Sequence, residues 1–301
     1  MNDKQRNAMA RMQQMREDGC VLTSEEFVDG LLPVRPRDAH KGDFGRVLIL
    51  AGSVGCTGAP ALAANAALRA GAGLIFTGVP KAVYPIVAAK LDEPMVFPLP
   101  CDRAGRLSRR ALPQIMDRLA ACDACLIGPG LGRSKGVLRV VTAVLENAKV
   151  PVIVDADGIN VLEGHIDVLG QAKCPVILTP HDGEFRRLGG DPSKSERYRS
   201  VRALAEKTGA TVLLKGHRTI VVGRDGAYLN TTGNPGMATG GSGDVLAGIL
   251  LALLGQGIAP TQAAAAAAWL HGAVGDLCAG SMGEYGMTPT DMIANLPEFL
   301  K

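Results

Sequence analysis

The sequence predicts an α/β fold in which a mostly parallel central sheet, with antiparallel edge strands, carries helices on both faces. From Arg46 onward, short apolar runs alternate with longer helical patterns, and this alternation is typical of parallel strands joined by helices. The composition agrees: 47% of the residues are hydrophobic, only 4% are aromatic and 38 are glycine, as in a closely packed globular protein. A chain of 301 residues is also long enough to bury a large core.

The first part of the predicted sheet follows directly from the apolar runs. RVLILAG, which begins at Arg46, predicts a buried strand, and the alanine-rich APALAANAALRAGAG predicts a helix that Gly71 closes. The next strands are predicted, in chain order, at LIFTGV, MVFPL, ACLIGPG, PVIVDAD and PVILTPHDGE. Amphipathic stretches such as SKGVLRVVTAVLENA lie between several of them and predict the covering helices.

The pattern changes after Thr211. TVLLK, TIVVG and AYLN predict short strands joined by tight turns, and GRDG between the last two is typical of a hairpin connection. These strands predict the antiparallel edge of the sheet. Three helices are then expected at about 242–255, 261–278 and 288–300.

No linker, low-complexity tract or internal repeat interrupts this pattern. We therefore expect a single domain over residues 25–301, preceded by a polar N-terminal extension over residues 1–24. The extension has no apolar core of signal-peptide length. The longest apolar stretch, AAAAAAWL, is too short and too rich in alanine to span a bilayer, so no membrane contact is expected.

Charge and cysteine content narrow the class of protein. The chain has 32 basic and 29 acidic residues, a net charge of +3, and no long basic run, so nothing favours binding to nucleic acid. Seven cysteines are scattered along the chain. An odd number without a disulfide framework is typical of reduced thiols, and we expect a cytoplasmic protein.

In such a fold, ligands bind beyond the carboxyl ends of the strands. After the first strand, Gly52, Gly55 and Gly58 are spaced as G-x-x-G-x-x-G, which differs from the GxGxxG dinucleotide fingerprint. This loop predicts either an anion site at a helix N-terminus or a tight turn. GPGLGR, from Gly128 to Arg133, predicts either a wall for a flat ligand or an ordinary strand-to-helix turn.

Acidic residues follow two later strands. VDADGIN places Asp155 and Asp157 at a strand end, where carboxylates can hold a metal-bound water or a hydroxyl group, or one of them can cap the next helix. TPHDGE places His181 and Glu184 at the end of the following strand, where Glu184 can orient a hydrated Mg²⁺. The sequence leaves open which of Asp155, Asp157 and Glu184 assists a metal.

Two further loops bear on phosphate binding. LLKGHRT ends a strand in Lys215 and Gly216, which predicts either a hairpin turn or a turn that grips a nucleotide. TGGSGD precedes a long apolar helix, so its amides are free to bind a phosphate, and Asp244 lies in the first turn. This carboxylate either stabilises the helix dipole or accepts a proton from an attacking hydroxyl group. Although no Walker motif is present, the free amides together with the acid favour phosphoryl transfer.

These segments, taken together, resemble the ADP/ATP-dependent NAD(P)H-hydrate dehydratases, a family with the ribokinase-like fold. The resemblance runs from His40 to the C-terminus and depends on six motifs in the family's order. They are HKGDFGRVLILAGSVGCTGAPALAANAALRAGAGL, GPGLG, VDADGIN, TPHDGE, LLKGHRT and GNPGMATGGSGDVLAGIL.

The resemblance implies an enzyme that repairs nicotinamide nucleotides. Members remove water from the S epimer of the hydrates NADHX and NADPHX, using ADP, or ATP in some members, as phosphoryl donor together with Mg²⁺. The products are NADH or NADPH, AMP and phosphate. An epimerase, often fused N-terminally, converts the R form. Because the stretch before the first motif is too short for an epimerase domain, we expect a separate epimerase partner, and we also expect a homotetramer.

The resemblance also assigns roles to residues. Those expected to contact the hydrate are Ala59, Gly130, His181 and Asp244. Those expected to contact the adenine nucleotide are Lys215, Gly216, His217, Arg218, Thr219 and Gly243. The amides of Gly241, Ser242 and Gly243 would form the anion hole, and Asp244 would deprotonate the hydroxyl group of the hydrate. That oxygen would attack the terminal phosphoryl group, and phosphate would then leave by elimination.

A kinase of the same fold, acting on a vitamin precursor or a sugar alcohol, is the alternative function. Both classes would use Asp244 and its loop. Many such kinases have Asn-x-x-Glu where this chain has His181-x-x-Glu184, as the dehydratases do. Asn160-x-x-Glu163 matches the kinase pattern, but it lies in the preceding unit and we interpret the match as coincidental. A non-catalytic nucleotide sensor would be expected to have lost the acid at residue 244.

Overall fold

The computed structural model describes residues 16–17, 19–193 and 195–300. Eleven strands in these residues form one sheet. In chain order they are β1 (Arg16–Glu17), β2 (Cys20–Leu22), β3 (Arg46–Leu50), β4 (Leu74–Pro80), β5 (Met95–Leu99), β6 (Ala124–Ile127), β7 (Val152–Val154), β8 (Val176–Leu178), β9 (Thr211–Leu214), β10 (Ile220–Gly223) and β11 (Gly226–Leu229). Their order across the sheet is β1-β2-β11-β10-β9-β8-β7-β6-β3-β4-β5.

The sheet is mostly parallel, as predicted. All neighbours from β9 across to β5 are parallel. The pairs β9–β10 and β10–β11 are antiparallel, and the predicted hairpin joins β10 to β11 with Gly223 opposite Gly226. Beyond them, β2 runs parallel to β11 and β1 pairs with β2 in antiparallel fashion. The predicted antiparallel edge is therefore confirmed.

Eleven α-helices accompany the described part of the sheet. They are α1 (Glu25–Leu31), α2 (Gly58–Arg69), α3 (Tyr84–Ala88), α4 (Leu112–Leu119), α5 (Lys135–Asn147), α6 (Asp157–Asn160), α7 (Asp182–Arg187), α8 (Arg197–Thr208), α9 (Ser242–Gly255), α10 (Pro260–Met282) and α11 (Pro289–Asn295). Short 3₁₀ segments occur at Arg109–Ala111, Ile166–Gln171, Pro235–Met237 and Leu296–Phe299.

Two hydrophobic cores lie on the two faces of the sheet. Successive residues of a strand point to opposite faces, and in β3 Val47 and Ile49 join one core while Leu48 and Leu50 join the other. The first core includes residues of α2, α9, α10 and α11. The second includes residues of α4, α5 and α8. Helices on both faces are thus confirmed, and they leave the strand ends available for ligands.

The N-terminal boundary needs correction. Val21 and Leu22 of β2 pair with Tyr228 and Leu229 of β11, so part of the expected extension over residues 1–24 belongs to the sheet. The physical reason is a short apolar run: Cys20 is buried in the second core, and the strand completes the hydrogen bonds of β11. Residues 1–15 and 18 of the expected extension lie outside the described residues.

The last predicted helix, over 288–300, is divided. It is an α-helix only over Pro289–Asn295 and continues as a 3₁₀ segment over Leu296–Phe299. Pro297 has no amide hydrogen to donate, which interrupts α-helical bonding at this point. Separately, no helix in the described part of the chain is both long and apolar enough to cross a membrane.

Candidate active site

The carboxyl ends of β7, β8 and β9 bring a buried ion pair together. Asp155 follows β7 and its side chain is only 2% exposed. Its Oδ1 accepts hydrogen bonds from Thr179 Oγ1 at 2.8 Å and from Lys215 Nζ at 2.9 Å. Lys215 Nζ also lies 4.0 Å from Glu184 Oε2. Burial acts to lower the pKa of Lys215, but the carboxylates of Asp155, Glu184 and Asp244 outweigh it and raise that pKa.

Asp244 lies in the first turn of α9, close to this ion pair. Burial, assisted by the negative charge of Asp155 and opposed by Lys215, raises the pKa of Asp244 to about 7. A carboxyl group with a pKa near neutrality can accept and release a proton under physiological conditions. The environment of Asp244 therefore suits a general base.

The backbone at the start of α9 has unbonded donors. Gly241, which precedes the helix, has a φ of 98°, a left-handed conformation that glycine adopts without strain. Within the described part of the chain, the amides of Gly241, Gly243 and Asp244 have no hydrogen-bond acceptor. A Cβ placed on Gly243 would lie 3.5 Å from Lys215 Nζ. Free amides and an ammonium group therefore occur side by side, which is an arrangement that binds anions.

A cavity of about 1140 Å³ opens beside this helix start. It is large enough for a nucleotide. Most of the residues that the sequence assigned to the nucleotide line this cavity. A residue predicted to contact the hydrate, His181, also lines it. The predicted residues that line it are His181, Lys215, Gly216, His217, Thr219, Ser242 and Gly243.

Several predicted site residues do not line this cavity: Ala59, Gly130, Glu184, Arg218, Gly241 and Asp244. Among them Arg218 has a φ of 61°, which is uncommon for a residue with a side chain. Asp244 directly follows the cavity-lining Gly243 in the chain. The cavity is accordingly a candidate for the nucleotide more than for the whole substrate.

Ala59, at the start of α2, and Gly130 lie together beside the loops that follow β3 and β6. A Cβ on Gly130 would lie 3.3 Å from the Cβ of Ala59 and 2.8 Å from that of Cys56. The two loops are tied by Ser53 Oγ, which donates to Gly130 O at 2.7 Å, and by Gly52 N, which donates to Pro129 O at 2.8 Å. Any side chain at residue 130 would collide with the opposite loop, which explains that glycine.

The sequence predicted that Asp155 or Asp157 could cap the helix that follows the strand. This prediction is wrong for both residues. The N-cap of α6 is Ala156, which has a φ of 49° and makes no side-chain cap. Asp157 instead accepts from the amide of Gly132 at 2.8 Å and from Asn160 Nδ2 at 3.1 Å. Its carboxylate is thus used to hold the GPGLG loop, while Asp155 is used to hold Lys215.

His181 and Glu184 bind each other as a helix cap. His181 Nδ1 accepts from the amides of Gly183 at 2.9 Å and Glu184 at 3.4 Å. In return, Glu184 Oε2 accepts from the amide of His181 at 3.0 Å, and Oε1 lies 3.2 Å from His181 Nε2. The sequence did not predict this capping box. His181 and Glu184 have the same spacing as the usual S/T-x-x-E capping box, but histidine takes the place of serine or threonine.

The residues around Glu184 do not form a metal site by themselves. Both oxygens of Glu184 already have protein partners, and its side chain is 5% exposed. Among the residues that the structure describes, no group of three His, Cys, Asp or Glu side chains is arranged to hold a metal ion. Mg²⁺ in nucleotide sites is generally held largely by substrate phosphates and water.

The sequence analysis did not identify one residue that lines the cavity. His271 on α10 lines the cavity, and its Nε2 lies 2.9 Å from Ser242 O and 3.1 Å from Ser242 Oγ. It lies in an alanine-rich helix that predicts core packing, and sequence reasoning therefore assigned it no role. The histidine that precedes a glycine in AWLHGAVG is the single polar side chain in that run, which is the signal that could have found it.

A family model described as NAD(P)H-hydrate dehydratase matches residues 47–298. The bifunctional NAD(P)H-hydrate repair enzyme Nnr of Moorella thermoacetica is 46% identical over 274 residues, which cover 90% of this chain and 52% of that protein. The ADP-dependent (S)-NAD(P)H-hydrate dehydratase of Neisseria meningitidis is 39% identical over 257 residues, covering 83% of this chain and 82% of that protein. The chain thus spans about half the length of the bifunctional relatives that it matches.

A solved structure supports the same assignment. The ADP/ATP-dependent NAD(P)H-hydrate dehydratase from Bacillus subtilis, co-crystallized with ATP and Mg²⁺, superposes with a TM-score of 0.78 at 30% identity. The match covers 95% of this chain and 99% of that one. Solved structures of the ribokinase-like superfamily share this arrangement of strands and helices, which confirms the expected fold.

Proposed function

The chain belongs to the NAD(P)H-hydrate dehydratase family, and we propose that it catalyses the ADP-dependent dehydration of the S epimer of NAD(P)H hydrate. The products would be NADH or NADPH, AMP and phosphate. The observation that supports this activity best is a carboxyl group with a pKa of about 7, that of Asp244, beside unbonded amides at a helix start. A base and an anion site are the two groups that phosphoryl transfer to a hydroxyl group requires.

In the proposed reaction, Asp244 accepts the proton of the hydrate's hydroxyl group. The hydroxyl oxygen bonds to the terminal phosphorus of ADP, and the bond from that phosphorus to the bridging oxygen breaks and releases AMP. The amides around Gly243 and the ammonium group of Lys215 stabilise the negative charge of the transferred group. Amides that have no protein acceptor and an ammonium group fixed by Asp155 require little rearrangement for this task.

The second step removes the phosphate ester. The lone pair of the ring nitrogen forms a carbon–nitrogen double bond as the carbon–oxygen bond breaks, and phosphate leaves with the former hydroxyl oxygen. Loss of a proton from the neighbouring carbon then restores the dihydronicotinamide ring. No protein nucleophile is needed, because the substrate itself supplies the electron pair.

The 1140 Å³ cavity is the proposed site of the adenine nucleotide. Gly216, His217 and Thr219 line it together with Ser242 and Gly243, which precede Asp244 in the chain. A nucleotide in this cavity would present its terminal phosphate to the start of α9. The hydrate would then approach from the side of Ala59 and Gly130, the residues that the family resemblance assigns to it.

Mg²⁺ is proposed to enter with the nucleotide. It would supply charge neutralisation at the phosphates when bound. Because the oxygens of Glu184 are engaged by His181, a contact from Glu184 to the metal would be made through water. Asp155 is an unsuitable direct ligand, since Lys215 and Thr179 already donate to its Oδ1.

The assay that tests this function mixes the protein with Mg²⁺, ADP and the S epimer of NADHX. We expect recovery of the NADH absorbance together with formation of AMP and phosphate, and no recovery when ADP is omitted. Failure to recover NADH, alongside phosphorylation of a vitamin alcohol, would overturn the dehydratase and favour the kinase of the same fold. Light scattering on the same sample tests the proposed tetramer.

A further inference from the structure

The turn from Gly240 to Gly243 leads into α9. Three of its four residues are glycines, which have the greatest conformational freedom of any residue. The amide of Ser242 bonds to Thr239 O at 3.4 Å, a long hydrogen bond. Within the described residues, the shortest side-chain contact to this turn comes from His271 on α10, at 2.9 Å from Ser242 O.

The geometry fixes the proton on His271. A carbonyl oxygen can only accept, so the Nε2 that approaches Ser242 O must carry the hydrogen. Burial lowers the pKa of His271 to about 4, so the ring is neutral at pH 7. The same Nε2 cannot also take a proton from Ser242 Oγ, although that oxygen is only 3.1 Å away. Ser242 and His271 therefore do not form an activated nucleophile, in spite of their proximity.

We propose that His271 is a positioning residue, which holds the phosphate-binding turn of α9 in place by donating from Nε2 to the Ser242 carbonyl. The proposal rests on the proposed function, in which that turn binds the transferred phosphoryl group. With Ser242 fixed, the neighbouring amides of Gly241 and Gly243 keep one orientation. Catalytic donors need such fixed orientation, because a shift of about 1 Å can reduce a rate about 100-fold.

Helix α10 also bonds to the loop of residues 232–234, which lines the cavity. Asp276 accepts from the amide of Gly233 at 2.8 Å and from Asn234 Nδ2 at 3.0 Å. Thr232 Oγ1 donates to the carbonyl of Trp269 at 3.1 Å. One 23-residue helix is therefore bonded both to Ser242, through His271, and to the loop of residues 232–234. These contacts account for two polar side chains, His271 and Asp276, on a mostly apolar helix.

The test compares two substitutions that differ in hydrogen-bond donation. His271→Gln keeps an amide donor near the position of Nε2, whereas His271→Leu fills similar space without a donor. His165→Leu, at an exposed histidine outside the cavity, is the matched control. We expect kcat to fall about 10- to 100-fold in His271→Leu, with most of it recovered in His271→Gln and no change in His165→Leu.

A binding measurement separates this inference from the proposed function. Titration calorimetry gives the affinities for ADP and AMP, which differ only in the phosphate that the turn would hold. We expect His271→Leu to weaken ADP binding about tenfold and leave AMP binding unchanged. If the wild type lacks dehydratase activity but this pattern appears, the proposed function fails and the role of His271 stands.

Other results would overturn the role of His271. One is a His271→Leu protein with the kcat and the ADP-to-AMP preference of the wild type. Another is an equal loss in His271→Gln and His271→Leu when both melt at the wild-type temperature, because a donor role requires rescue by glutamine. If His271→Leu melts early, His271→Asn, whose shorter amide falls short of Ser242, takes its place in the comparison.

Discussion

Opposing electrostatic effects act on the pKa of the Asp244 carboxyl group. The start of a helix favours a negative charge, and Lys215 does so too, but burial and the nearby Asp155 outweigh them and raise the pKa to about 7. The sequence predicted the acid and its loop, because both features lie within five residues. It could not predict the pKa, which depends on Asp155, 89 positions earlier in the chain.

Replacement of the base should abolish turnover. In Asp244→Asn the hydroxyl proton of the hydrate has no acceptor, while the cavity-lining residues for the nucleotide are unchanged. We expect loss of dehydration in the NADH absorbance assay and near-normal ADP binding by calorimetry. Asp167→Asn, at an exposed acid, is the control. Normal turnover in Asp244→Asn would refute its role as base.

The same substitution should stabilise the fold near neutral pH. The folded-state pKa of Asp244 lies above its ordinary value of 3.8, so its stabilising contribution is full below about pH 3.8 and is lost as the pH rises to about 7. Asn has no such charge to bury. Urea unfolding at pH 8 should show Asp244→Asn more stable than the wild type by a few kcal/mol, on the order of the 1.36 kcal/mol per pKa unit, and equal stability would show that the carboxylate is not desolvated.

Asp155 should set the pH dependence of the reaction. Its charge raises the pKa of Asp244, whereas Lys215 lowers it. In Asp155→Asn the pKa of Asp244 should fall, so the rise of kcat/KM with pH should occur at lower pH, even if Lys215 is less well held and the maximum rate drops. Asp157→Asn, two residues away but bonded to Gly132, should leave the position of that rise unchanged. A rise that does not move in Asp155→Asn would contradict the coupling.

At the scale of elements, the position of α9 depends on its contact with α2. Gly248 faces this contact, since a Cβ there would lie 2.3 Å from Ala63 O and 2.8 Å from the Cβ of Ala66. The two helices can approach this closely because alanine and glycine line the contact. The close approach in turn fixes the start of α9, where the amides and Asp244 lie.

Two glycine substitutions test this packing. Gly248→Ala should destabilise the protein by about 1–3 kcal/mol, because the backbone of α2 must move. Gly280→Ala, in helix α10 with no atom within 4 Å of the added Cβ, should stabilise it by about 0.5–1 kcal/mol through helix propensity. Thermal and urea unfolding measure both. Equal effects of the same sign would contradict the packing of α9 on α2.

The elements were largely predictable, and the exceptions have physical causes. Strands of four or more mostly apolar residues, such as β3 and β9, are visible in the sequence because both faces of the sheet are buried. Strand β2 has only three residues, so no alternation of apolar and polar residues is visible in it. Its place in the sheet comes from pairing with β11, a contact about 200 positions away in sequence.

At the scale of the molecule, the parallel sheet brings distant loops to one edge. The segments that hold Ala59 and Gly130, and the ion pair of Asp155 and Lys215, all follow the carboxyl ends of strands. This edge was predictable from the alternation of strands and helices. Which side chains bond to each other there was not, as the use of Asp157 to hold Gly132 shows, because such bonds depend on loop conformation.

Cys56 offers a probe of where the hydrate binds. It is an exposed free thiol whose Cβ lies close to Gly130. We expect the S hydrate to slow maleimide labelling of Cys56, measured by peptide mass spectrometry, and ADP alone to have no effect. Cys174, which precedes β8 at the opposite edge and has a pKa raised to about 11 by burial, should label slowly in all samples. Protection of Cys56 by ADP but not by the hydrate would move the substrate elsewhere.

The central claim is that the hydroxyl group is phosphorylated in order to be expelled. Substrate prepared with ¹⁸O in that hydroxyl group tests it directly, by mass spectrometry of the phosphate released during ADP-dependent turnover. Since the hydroxyl oxygen bonds to phosphorus before the carbon–oxygen bond breaks, the account predicts one ¹⁸O in each phosphate. Unlabelled phosphate with the ¹⁸O in water would contradict it.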